Sequence, residues 1–147
     1  MKINDYLDVL EITLNKLTHT IDVDIMPGEF DISSAVMPQQ PLNKAMFPNL
    51  IYPDRVNFVT NPHQFVINGI KFLGTAGQNI KDVRMYADKH IYPIDIMQTN
   101  LEINHICPTT PDTLRCYSFT ENDPFIVSDA PHVYFCGNQP IYQEKII

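Results

Sequence analysis

Twelve of the 147 residues are proline, and they concentrate at 38–62 and 108–140. Each proline locks its own φ, removes a backbone donor and pushes the preceding residue toward extended geometry. No long helix or strand can cross those stretches, so short regular elements joined by ordered loops are expected. Ahead of the first cluster, Leu7, Leu10, Leu14 and Leu17 recur at i, i+3, i+7 and i+10. That spacing predicts a helix from a cap at Asn4 or Asp5 to about Leu17, its leucine stripe forming a core face. A partner-binding helix is the alternative use of the stripe. Extended runs follow at 23–26, at Phe58–Thr60 and from Gln64 to Leu73, where Asn68-Gly69 is a hairpin signal because both residues tolerate positive φ. Residues 32–56 read as loop. Ile80–Tyr86 reads as a short helix capped by Asn79. Ile91–Asn104 reads as another, with Pro93 in its first turn and Ile94, Met97, Leu101, Ile91 and His105 on one face. After Pro108 the chain reads as loop up to a buried strand at Val133–Phe135. Strands alternating with helices predict an α/β layered fold.

Composition removes several functions. The hydrophobic fraction of 44% supports a packed core rather than a disordered tail. A formal net charge of −7 with ten scattered basic residues argues against independent grip on a phosphate backbone. No window approaches the roughly 20 apolar residues that span a bilayer, and the first 20 residues do not form a secretory leader. Three cysteines in no tight pattern fit a reducing intracellular compartment.

Two turns carry the functional signal. Val23-Asp24-Ile25-Met26 runs into Pro27-Gly28-Glu29-Phe30-Asp31, and Pro131 to Cys136 runs into Gly137-Asn138-Gln139-Pro140. Both resemble strand-end loops of binuclear metallophosphoesterases, which carry Gly-Asn-His-Asp at the first and Gly-His-x-His at the second. Here Glu29 and Phe30 stand at the first loop's Asn and His, and Asn138 and Pro140 at the second loop's two His. Phenylalanine has no lone pair, proline offers no side-chain ligand, and amides suit transition metals poorly. A two-metal clamp on attacking and leaving oxygens could not survive those losses. Near Thr75 and Ala76, where active relatives carry another His, this chain has none. Phe30 is expected to be packed, so that a His there would bury an unpaired polar group.

Seven stretches in order resemble one family, the small (B) subunits of eukaryotic replicative DNA polymerase delta. They are 23–31, Met37–Leu42, Val59–Pro62, Phe72–Asn79, Ile106–Leu114, Asp123–Ile126 and Pro131–Asn138. The resemblance implies part of a degenerate calcineurin-like phosphoesterase sandwich, spanning 1–147 as the C-terminal part of that domain. The family's OB-fold domain and the first half of the phosphoesterase domain would lie outside this chain. It implies a non-catalytic scaffold in the nucleus, active in DNA replication and repair. Its partners would be the catalytic subunit's C-terminal region and a further accessory subunit, with DNA reached only through the holoenzyme. No catalytic, cofactor or metal residue is expected. The degenerate site would comprise Gly28, Glu29, Phe30, Asp31, Thr75, Ala76, Gly137, Asn138, Gln139 and Pro140. Rival readings are an active phosphoesterase or nuclease using Glu29 and Asp31, and the small subunit of another replicative polymerase. Apolar surface at the leucine stripe and at Ile146-Ile147 predicts self-association of the isolated chain.

Other candidate sites have plainer readings. Cys107, Cys116, His132 and Cys136 lack a paired Cys-x2-Cys knuckle. Asp22 and Asp24 alternate with Val23 and Ile25, so both should share the solvent face, and Asp31 should cap the turn that follows it. His19, His63, His90 and His105 have no partner motif. Gly74–Gly77 before Gln78-Asn79 lacks the lysine and third glycine of a phosphate loop. Tyr52, Phe58, Phe65 and Phe72 are expected in the core rather than under stacked bases.

Overall fold

A computed structural model describes residues 3–88 and 90–147, with side chains in the first helix from Tyr6 onward. The elements run α1 (Ile3–Leu17), β1 (Val23–Ile25), β2 (Val56–Phe58), β3 (His63–Ile67), β4 (Ile70–Thr75), α2 (Gln78–Tyr86), α3 (Pro93–Glu102) and β5 (Val133–Cys136). This is a mixed α/β arrangement of short elements, as the prolines require. β1 and β2 pair in parallel, with Val23 opposite Val56. β4 is central in a three-stranded sheet, antiparallel to β3 and parallel to β5. The crossover from β4 to β5 carries α2, α3 and the second proline-rich loop. No described helix is long and apolar enough to cross a membrane.

α1 packs its stripe onto β1, β2 and the 42–50 loop. Leu14 is 2% exposed, in a cluster with Leu42, Phe47 and Val56, and Leu7 and Leu10 pack against it. Leu17 departs from expectation: it is 42% exposed. By that point the chain turns away, with Thr20 and Ile21 N–H bonding back to Leu17 C=O. The helix already includes Asn4 and Asp5, whose side chains, and therefore their capping, lie outside the described residues. Its polar face is also used. Buried Glu11 accepts from Asn49 Nδ2 at 3.0 Å, and Asn15 Oδ1 accepts from Ile51 N–H at 2.8 Å, so α1 anchors the first proline-rich loop.

The hairpin forms as expected, with Asn68 at φ 49° and Gly69 at φ 81°. Phe65 and Phe72 stack across it with ring centroids 4.9 Å apart. Two helix starts differ from the sequence reading. α2 begins at Gln78, capped by Gly77 at φ 102°. A Cβ on Gly77 would lie 2.4 Å from Gly137 C=O, so only glycine allows the two backbones to meet there. Asn79 is therefore inside α2 and fully buried, its Nδ2 donating to Ile106 C=O at 2.7 Å. α3 starts at Pro93 rather than Ile91, and Asp95 reaches back to Tyr92 N–H. Ile91 is exposed, and His105 lies beyond the helix against Asp123. β2 lies two residues earlier than the expected 58–60 run, because Val56 is the residue that fills the α1 cluster. β5 is an edge strand, not a buried one: Val133 and Phe135 face outward while Tyr134 and Cys136 pack on α2 and α3.

Two substitutions separate the stripe's buried and exposed parts. Leu14→Ala is expected to cost about 2–4 kcal/mol, and Leu17→Ala less than about 1 kcal/mol. Urea unfolding of the two variants measures both; equal losses would mean that α1 does not dock by this face.

Candidate functional site

The two marked turns meet. Gly28 follows β1, and an ideal Cβ there would sit 3.6 Å from Asn138 Nδ2. Asn138, at φ 55°, donates to Ala76 C=O at 2.8 Å. Gly137 N–H donates to Thr75 C=O at 2.8 Å, extending the β4–β5 pairing past the strand. Gly28, Thr75, Ala76, Gly137 and Asn138 thus lie around one point, where β1, β4 and β5 end. Gln139 points back along its own turn, its Nε2 donating to Gly137 C=O at 3.1 Å and lying 3.3 Å from Cys136 Sγ. Pro140 is exposed.

The acidic residues do not converge. Glu29 holds Lys81 Nζ with both oxygens, at 2.7 and 2.8 Å. Asp31 accepts from Gly28 N–H at 2.7 Å, so it caps the turn before it rather than the one after. Asp22 pairs with Arg55 at 2.8 Å, and Asp24 accepts from Asn57 at 2.9 Å. Phe30 is 89% exposed, with Lys81 Nζ 5.5 Å from its ring centroid. It is therefore not packed, and the expected penalty for a His at that position does not arise.

What fills the centre is a set of amides that sequence reading passed over. Asn61 is 0% and Gln39 2% exposed. Asn61 Nδ2 donates to Gln39 Oε1 at 2.7 Å and to Gln78 Oε1 at 3.0 Å. Gln78 Nε2 donates to Gln39 Oε1 at 2.7 Å, and Gln39 Nε2 donates to Gly28 C=O at 2.9 Å and Ser34 C=O at 3.1 Å. Asn61 Oδ1 receives Ala76 N–H at 3.0 Å, while Gln39 and Asn61 also exchange backbone hydrogen bonds at 2.8 and 3.1 Å. All three side-chain oxygens are engaged, and the cluster carries no charge. A two-metal site needs open, anionic or imidazole donors. These residues do not fit one.

The remaining candidates scatter. Cys107 and Cys116 belong to the cluster around Leu73 and Phe125, Cys136 to the one around Ile80 and Ile96. His132 Nδ1 accepts from Lys71 N–H near the start of β4. No three His, Cys, Asp or Glu side chains group for a metal among the described residues. Burial pushes the Cys136 thiol up, against hydrogen bonds to it, and drives Tyr134 to about 12. Both stay protonated near neutrality. At the 74–79 segment, Asn61 and Asn138 occupy the Ala76 N–H and C=O that a phosphate loop would leave free. His63 stacks on Phe65 and His19 meets Tyr52 edge-on, while Phe58 stacks on Phe47 in the core. His90 and Tyr52 are exposed.

The fold and this site define a class: an α/β chain whose strand-end loops are joined by a buried cluster of neutral amides. Over residues 3–144 the chain matches the family model that describes the B subunit of DNA polymerase alpha/epsilon, and it belongs to that family. It is similar to the DNA polymerase delta small subunit of Arabidopsis thaliana, 43% identical over 138 residues, which are 94% of this chain and 31% of the relative. The corresponding protein of Oryza sativa subsp. japonica is 37% identical over 146 residues, 99% of this chain and 34% of the relative. That of Saccharomyces cerevisiae is 32% identical over 163 residues, 91% and 34% respectively. The chain thus spans about a third of the length of these curated relatives.

Asn61→Leu should strand Ala76 N–H and break both bridges to Gln39 and Gln78, costing about 2–4 kcal/mol. Phe30→Ala should change stability by less than about 0.5 kcal/mol, since that ring is solvated. Thermal melts of the two variants decide; an undestabilised Asn61→Leu would show that the cluster does not hold the loops.

Proposed function

We propose that this chain is the C-terminal portion of an inactivated, calcineurin-like phosphoesterase domain in the non-catalytic small subunit of replicative DNA polymerase delta. The observation that carries the reading is its 32–43% identity to three DNA polymerase delta small subunits over more than nine-tenths of its length. The site supports the non-catalytic half: Phe30, Asn138 and Pro140 stand where ligands would be needed, and saturated amides fill the centre. Gly28 to Asp31, Thr75, Ala76 and Gly137 to Pro140 are then the remnant of a hydrolytic site kept for its shape. The subunit would act in the nucleus as a scaffold for replication and repair synthesis. It would join the catalytic subunit's C-terminal region to a further accessory subunit and meet DNA only in the assembled polymerase. The net charge of −7 supports that last point, since an acidic chain gains little from phosphate contacts.

Co-expression of the full-length subunit with its polymerase partners tests the reading. Stoichiometric co-purification is expected. The purified subunit should show no turnover of bis(p-nitrophenyl) phosphate with Mn2+ above the blank. Metal-dependent turnover abolished by Glu29→Gln and Asp31→Asn would replace the scaffold with a nuclease.

A further inference from the structure

The loop from Cys107 to Phe125 carries a feature that the amide-filled centre does not use. Tyr117 and Phe119 are 41% and 45% exposed, their rings edge-on with centroids 6.5 Å apart. Phe119 meets buried Phe125 at 6.3 Å and 90°, and Phe125 in turn faces His105 at 6.2 Å. The aromatic row therefore runs from solvent into the core and is anchored at its inner end. Together with Pro111, Glu121 and Asp123 it lines an open groove of about 530 Å³.

The charge in that groove has one sign. Its lining includes two carboxylates, Glu121 and Asp123, and no lysine or arginine among the described residues. Asp123 is fixed: Phe125 N–H donates to one oxygen at 2.8 Å and His105 Nε2 lies 3.0 Å from the other. Partial burial opposes its ionisation, but those hydrogen bonds outweigh it and hold the carboxyl below its ordinary range. Glu121 forms no ion pair among the described residues. Aromatic faces beside Glu121, the groove carboxylate without an ion pair among the described residues, attract a cation that also has an apolar stem, by ring quadrupole and by Coulomb attraction. An anionic ligand would meet repulsion, and a plain apolar helix would leave Glu121 facing it without a partner.

We propose that this groove docks a lysine- or arginine-bearing segment of a partner polypeptide, the basic side chain lying over Tyr117 and Phe119 with its head at Glu121. The proposal gives a binding chemistry to the scaffold read above, and it rests on that reading for where the partner is sought. The test uses the full-length subunit in its polymerase assembly, with the photo-crosslinker p-benzoyl-phenylalanine replacing Phe119. The expected product is a crosslink to another subunit at a peptide with Lys or Arg near the point of attachment. Glu121→Lys, a solvent-side change that should not disturb folding, is expected to weaken association about tenfold, and the defect should shrink as salt rises from about 0.1 M to about 0.5 M. A crosslink to a peptide without a basic residue, a crosslink within the subunit's own chain, or no crosslink in a complete assembly would overturn the groove and leave the scaffold standing. If the wild-type subunit fails to assemble, the scaffold reading falls. A fluorescent Leu-Arg-Leu-Arg peptide and its Leu-Glu-Leu-Glu counterpart then decide the groove: preference for the basic peptide that Glu121→Lys removes sustains it, and equal binding ends it.

Discussion

The structure depends on a neutral knot. Gln39, Asn61 and Gln78 come from a loop after β1, the β2–β3 connection and the start of α2, and their amides bond to one another and to the backbone of Gly28, Ser34 and Ala76. Short proline-bounded elements cannot bury enough apolar surface to fix their own relative positions. A buried polar network can, because leaving any member unpaired in low dielectric is costly. The knot brings the end of β1 to the end of β4, and Asn138 adds the end of β5 through Ala76 C=O. Around it, three apolar clusters close separately: α1 over β1 and β2, the Leu73–Phe125 group, and α2 with α3 against β5.

The same knot bears on chemistry. Strand ends in α/β folds collect reactive groups because loops converge there. Here the converging groups are amides whose oxygens already accept, and the nearby acids each serve a local partner: Glu29 with Lys81, Asp31 with Gly28 N–H. A centre built this way is uncharged and has its amide oxygens already engaged. That fits the proposed scaffold role, in which surfaces rather than a pocket would carry the function. It is also consistent with family relatives that are subunits of a polymerase.

Much of the local structure was legible in the residues. Asn68-Gly69 forced the hairpin because both positions need positive φ, and Leu7, Leu10 and Leu14 placed α1 by their spacing. Leu17 broke the pattern because periodicity carries no information about where the chain leaves the surface it packs on. Asn79 was a good capping residue by type, but Gly77 took the cap because its approach to Gly137 excludes any Cβ. Gln39 and Asn61 were the larger omission. Both sit beside prolines, where polar residues read as solvated loop, and the available signals were an amide next to a proline in two separate segments and the place of both segments, Met37–Leu42 and Val59–Pro62, among the stretches of the resemblance.

The sequence alone determined what two side chains of the marked turns cannot do. Phe30 lacks a lone pair and Pro140 lacks a side-chain donor wherever the chain places them, so their meaning needs no coordinates. Tertiary structure alone decided what stands there instead. The contacts of the knot join residues as far apart as Gln39 and Gln78, 39 positions along the chain. Nothing local distinguishes an amide that will be buried against such a partner from one that will face water. The difference arises only when strand ends from distant segments are packed together and every buried donor must find an acceptor.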